Sequence, residues 1–130
     1  YGLRAKKIIA LKKQINYAME QIILKKLDKI TELCRKYNVK TLWVFGSATG
    51  RGIDGNPFGP DSDIDLLVEF EDVVYDINSP ISGFHSFYLK EELEKIFDRK
   101  VDLVGIRALR NPVLIRNINK QKQIIYGRAS

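Results

Sequence analysis

The chain has 130 residues, 45% of them hydrophobic and 29% charged, with a formal net charge of +6. This length suits one domain with one ordinary core. The single cysteine, Cys34, excludes an internal disulfide and suits a reducing cytoplasm, and no apolar run reaches the roughly 18 residues that a membrane span needs.

The positive charge is unevenly spread. Residues 1–41 hold eleven Lys/Arg against three Asp/Glu, residues 42–98 three against twelve, and residues 99–130 eight against one. An acidic middle between basic arms suits a cation site flanked by anion-attracting walls. Neither arm carries interleaved aromatics or a nucleic-acid-binding motif, so no dedicated nucleic-acid reader is expected. The opening YGLRAKKIIALKKQ has too short an apolar run for a secretory signal.

Residues 4 to about 37 read as helix. Apolar residues recur at Ile8, Leu11, Ile15, Ala18 and Ile22, then at Ile23, Leu27, Ile30, Cys34 and Tyr37. The register slips by one between Ile22 and Ile23, as in a drifting stripe or two helices joined near Met19–Gln21. The first part is read as an N-terminal helical extension, residues 1–23, that covers the core or offers its stripe to a second copy. Asn38 is the expected helix stop. VKTLWVF (Val39–Phe45) and IDLLVEF (Ile64–Phe70) read as buried strands, with Trp43 in the core. FHSFYLKEELEKIF (Phe84–Phe97) is helical, with Phe84, Tyr88, Leu89, Leu93, Ile96 and Phe97 expected on one side. His85 reads as a packed or surface residue. KVDLVGI (Lys100–Ile106) is a third strand, NPVLIRNINKQ a helix with Asn111 at its N-cap and Pro112 at its first position, and QIIYG a closing strand. The order predicts one α/β (α+β) domain around a central sheet.

Between the first two strands lies ATGRGIDGNPFGPDSD. Its Gly50-x-Gly52-x-x-Gly55 matches a dinucleotide-binding spacing, but that motif needs a helix directly afterwards. The prolines and glycine in NPFGPDSD oppose one, so these glycines read as a loop.

The carboxylates are more informative. Residues two apart on a strand share a face, so Asp63 and Asp65 point the same way at the start of the second strand. Paired carboxylates repel unless a cation sits between them, and Mg²⁺ prefers carboxylates plus phosphate oxygens. The same Asp-x-Asp also serves as a turn cap. Asp102, between Val101 and Leu103, is an acid inside an apolar strand pattern and needs a partner. If its strand adjoins the second, three carboxylates come together. Such a set holds two ions and helps deprotonate a hydroxyl for in-line attack on phosphorus. Gly46 and Ser47, which follow the first strand, offer backbone access and a hydroxyl to phosphate oxygens.

FGS (Phe45–Ser47), DSDIDLLV (Asp61–Val68) and RKVDLV (Arg99–Val104) together resemble the signature of the DNA polymerase beta-like nucleotidyltransferase superfamily, in its minimal nucleotidyltransferase (MNT) branch. LRNPVLIRNINKQKQIIYG (Leu109–Gly127) resembles the usual end of these domains, and the likeness covers roughly residues 24–127. The resemblance implies a nucleotidyltransferase fold over residues 24–130, a short mixed central sheet packed by helices. It implies NTP, and ATP first among them, bound by Gly46 and Ser47, with Arg51 the nearest candidate for a further phosphate contact. It implies two Mg²⁺ ions on Asp63, Asp65 and Asp102, with Asp102 promoting deprotonation of the acceptor hydroxyl. The reaction implied is transfer of a nucleoside monophosphate, AMP above all, to a hydroxyl on a partner protein, in the manner of an antitoxin facing a HEPN-domain toxin. A non-catalytic antitoxin that neutralises such a partner by occlusion is the alternative, and a Mg²⁺-dependent nuclease a third reading. The loop from Ala48 to Ser62 is longer than is usual in the family.

Overall fold

The computed structural model describes residues 21–49, 59, 62–79 and 84–127. The expected helix over residues 4–20, and with it most of the N-terminal extension, lies outside the described residues. Within them the helical pattern resolves into α1 (Gln21–Leu24) and α2 (Leu27–Lys36), separated by a turn at Lys25–Lys26. Ile23, Ile30 and Cys34 form the buried stripe of this segment. α2 ends where Asn38 takes a left-handed conformation at φ 56°, which Asn tolerates better than most residues.

β1 (Val39–Phe45) runs antiparallel to β2 (Ile64–Phe70), which runs parallel to β3 (Val101–Gly105). β4 (Gln123–Tyr126) pairs antiparallel with the other edge of β1, giving a four-stranded mixed sheet in the order β3-β2-β1-β4. The parallel pair needs a crossover, and it contains α4 (His85–Phe97), after the short α3 (Asp72–Tyr75). α5 (Pro112–Gln121) then leads into β4. Asn111 caps α5 as expected: its side-chain oxygen accepts from Val113 N at 2.9 Å and Leu114 N at 3.3 Å, with Pro112 at the first position.

The two faces of the sheet differ. On one, Leu42, Val44, Ile64, Leu66, Val68 and Val101 pack with Ile30 and Cys34 of α2 and Leu89, Leu93 and Phe97 of α4. Each such side chain contributes about 1.5–3 kcal/mol on burial, so this layer holds the fold together. On the other face a smaller cluster of Phe45, Leu67 and Ile118 lies beneath α5. Trp43 belongs here. It is only half-buried, and the Lys122 ammonium lies 4.7 Å from its ring centre.

The helix Phe84–Phe97 is confirmed, but its expected apolar side is corrected. Leu89, Leu93 and Phe97 are buried, whereas Phe84 and Tyr88 are 75% and 50% exposed. Positions 84 and 88 precede 85 and 89 by one residue, about 100° round the helix, which turns them off the sheet. His85 is packed, edge-on to Tyr37 and Phe70 at 5.8 and 6.2 Å between ring centres. Among the described residues no helix is long and apolar enough to cross a membrane.

Candidate active site

The strand register brings the candidate acids to one end of the less covered face. Asp65 stands opposite Asp102 across the parallel β2–β3 pair and opposite Phe45 across the antiparallel β1–β2 pair. By strand alternation Asp63, one residue ahead of β2, and Asp65 and Leu67 within it share a face with Asp102 and Val104 of β3. Asp102 departs from the expectation of an acid inside a buried strand. Val101 is fully buried on the core side, but Asp102 is exposed.

The end of β1 meets these acids directly. Gly46 has φ +71°, and a Cβ there would collide with the Asp65 carboxylate. Glycine is required twice over, for its left-handed backbone and for the space that it leaves. A 3-10 turn over Gly46–Thr49 follows, closed by Thr49 Oγ1 donating to Gly46 O at 2.7 Å. Ser47 is half-buried in this turn, one residue beyond the glycine. Gly46 N donates to Gln121 Oε1 at 3.2 Å, which ties the turn to the last residue of α5. The sequence gives no sign of this contact, because the partners lie 75 residues apart.

The other end of the long connection is tied as well. Arg99 donates through one guanidinium nitrogen to Gly59 O at 2.9 Å and to Ser62 O at 3.1 Å. Lys100 Nζ lies 3.9 Å from Asp63 Oδ2, an exposed pair worth little by itself. Arg51, Asp61 and the glycines at 50, 52 and 55 lie outside the described residues.

Electrostatically the cluster is under strain. Burial, then the neighbouring Asp102 and Asp63 charges, push the Asp65 carboxyl up to about 6. Among the described residues no three His, Cys, Asp or Glu side chains converge closely enough to hold an ion unaided. That does not oppose Mg²⁺, which is commonly held by one or two carboxylates plus substrate phosphates and water. The donor set, all carboxylate oxygens on one face beside a glycine turn, fits that mode.

Two clefts lie elsewhere. One of about 600 Å³ opens among Arg35, Val39, Lys40 and Tyr126, and one of about 250 Å³ among Phe70, Tyr75, His85 and Arg107. Both lie toward the opposite end of the sheet, about 17 Å from Asp65 at ~3.3 Å per strand residue. Among the described residues the acids form a rim at the end of the sheet and line neither cleft.

This fold is that of a nucleotidyltransferase. The family model for polymerase beta, nucleotidyltransferase matches residues 28–130, and the chain belongs to that family. A Methanocaldococcus jannaschii protein named "Putative protein adenylyltransferase" is 34% identical over 112 residues, which cover 79% of this chain and 99% of the relative. A solved structure described as a "putative minimal nucleotidyltransferase" superposes with a TM-score of 0.59 at 26% identity, over 83% of this chain and 97% of that one. The fold is also that of a Shewanella oneidensis MNT antitoxin–HEPN toxin complex structure, whose toxin is tri-AMPylated. That match has a TM-score of 0.51 at 21% identity, over 82% of this chain and 73% of the other.

Proposed function

We propose that this nucleotidyltransferase moves AMP from ATP to a hydroxyl on a partner protein, with Mg²⁺. The observation that carries the chemistry is the Asp65–Asp102 register pair, with Asp63 on the same face and Gly46 packed against Asp65. Asp63, Asp65 and Asp102 are the residues to hold the ions. When bound, Mg²⁺ supplies positive charge to the triphosphate and the carboxylates. Gly46 and Ser47 lie at the near edge of this rim, where backbone and hydroxyl meet the triphosphate, and Arg51 is retained as a further phosphate contact. The acceptor oxygen attacks the α-phosphorus, the bond to pyrophosphate breaks, and the hydroxyl proton passes to Asp102. Asp102 suits that part because it is exposed where an acceptor arrives.

A protein acceptor is supported by the name of the 34% identical relative. A HEPN-type toxin is the partner to test first, following the sequence resemblance. Intact-mass measurement of that partner after incubation with ATP and Mg²⁺ tests the reading. AMP adducts that require Asp63 and Asp65 support it; an unmodified partner overturns it.

Occlusion without catalysis is the second reading, motivated by the lengthened Ala48–Ser62 connection and the helical extension expected from the sequence. It requires that an Asp63→Ala/Asp65→Ala protein still neutralise the partner without changing its mass.

A further inference from the structure

We infer that Arg99 is a positioning residue that sets Asp63 for metal and nucleotide, a role that rests on the transferase reading above. Two contacts fall on the residues either side of Asp63, and a third falls on Gly59. The Arg99 guanidinium holds Ser62 O at 3.1 Å, together with Gly59 O at 2.9 Å. The next residue, Lys100, accepts from Ile64 N through its carbonyl at 3.0 Å. Asp63 is thus bracketed by backbone contacts from one dipeptide, Arg99–Lys100.

The bracket is itself anchored. Asp98 ends α4 in a left-handed conformation at φ 50°, and Arg99 N donates to Glu94 O at 3.3 Å. Glu94 Oε2 in turn accepts from Val101 N at 3.1 Å. Arg99 therefore projects from a rigid helix-to-strand corner.

Its partners close on each other. Ser62 N donates to Gly59 O at 3.1 Å, and Gly59 N to Ser62 Oγ at 2.9 Å. The Gly59 carbonyl thus receives two donors, Ser62 N and the Arg99 guanidinium. A planar, always charged guanidinium serves two carbonyls from one anchored position; an ammonium on a flexible stem does so with less geometric control. The consequence is that Gly59 and Ser62 are tied to the start of β3.

The test compares wild type with Arg99→Ala, Arg99→Gln and Arg99→Lys. Backbone amide exchange is read without nucleotide or metal, and Mn²⁺ affinity is read by calorimetry in the presence of a non-hydrolysable ATP analogue. Arg99→Ala is expected to speed exchange at Ser62 and Ile64 about tenfold, leaving α2 unchanged, because the guanidinium's contacts to Gly59 and Ser62 are lost. Mn²⁺ affinity is expected to fall about tenfold, the lower end for loss of a residue that orients a ligand. Arg99→Lys should recover part of both effects. Arg99→Gln keeps the test open should Arg99→Ala fold poorly. Unchanged local exchange, exchange raised equally throughout the chain, or Lys no better than Ala overturns the inference. If wild type transfers no nucleotide to any partner, the transferase reading falls. Exchange at Ser62 and Ile64 then decides the role of Arg99 alone.

Discussion

The Asp65 carboxylate occupies the space in which a side chain on residue 46 would have to stand, so the placement of Asp65 requires glycine at 46. The glycine is commonly read as an opening for substrate. Here it first admits one of the protein's own acids to the end of β1. Gly46→Ala is expected to cost roughly 1–3 kcal/mol through its left-handed backbone alone. It should also displace the Asp65 carboxylate from its place beside the end of β1. Thermal melting reads the first effect and calorimetry with Mg²⁺ and an ATP analogue the second. Wild-type affinity in Gly46→Ala would show that the contact has no bearing on the site.

Asp65 makes the metal-free protein sensitive to pH in a defined direction. Its carboxyl is raised from 3.8 to about 6, so between those values the folded chain holds a proton that the unfolded chain has released. Stability then rises as pH falls from about 7 towards 4, and this destabilising contribution is fully present above about 6. Asp65→Asn should flatten that slope. It should also raise the metal-free Tm at pH 7 by a few degrees, roughly 1 kcal/mol once solvent screening of a half-exposed group is allowed for. Melts from pH 4 to 8 in the presence of a chelator check both. A lower Tm for Asp65→Asn at pH 7 would count against like-charge repulsion at this site.

Cys34 is expected to be inert in the native protein. It is fully buried, and burial pushes its thiol up to about 12. Labelling by a disulfide reagent at pH 8 should be on the order of 10³-fold slower than in urea, because it requires opening of the core. Above pH 9 the unfolded thiol ionises first, so stability should decline as pH rises through 12. Fast stoichiometric labelling of the native protein would contradict the packing of α2 on the sheet.

The N-cap of α5 offers a stability change remote from the acids. Asn111→Ala removes the acceptor for Val113 N and Leu114 N and should cost about 1 kcal/mol in urea unfolding. The affinity for Mg²⁺ with an ATP analogue should stay unchanged, since α5 meets the glycine turn through Gln121 at its other end. A drop in affinity would mean that the whole helix, not its last residue, governs the turn.

Much of this was legible from residue order because strands and caps carry local signatures. Ile64, Leu66 and Val68 alternate with Asp65 and Leu67, which gave the strand and the shared face of the acids. Asn111-Pro112 marked a helix start. The strand order was not legible: nothing local in VDL says that its strand lies beside IDLLVEF. Hence the adjacency of Asp102 and Asp65 stood only as a condition until the register met it. Phe84 and Tyr88 misled because four-residue spacing identifies a stripe without saying which way it faces. The ties made by Gln121 and Arg99 span 75 and 37–40 residues, beyond any local pattern.

The two-sided sheet constrains how this chain can vary in length. Within β2, core residues and acids differ only in parity: Ile64, Leu66 and Val68 face the helices, and Asp65 faces the rim. Gaining or losing a single residue between Ile64 and Asp65 would drive the carboxylate into the apolar layer or expose that layer, forfeiting fold and site together. Substitutions in such a strand can be graded; insertions and deletions are all or nothing. Length differences among related chains should therefore gather between Thr49 and Gly59, ahead of the point where Arg99 takes hold, and be almost absent from Ile64–Phe70.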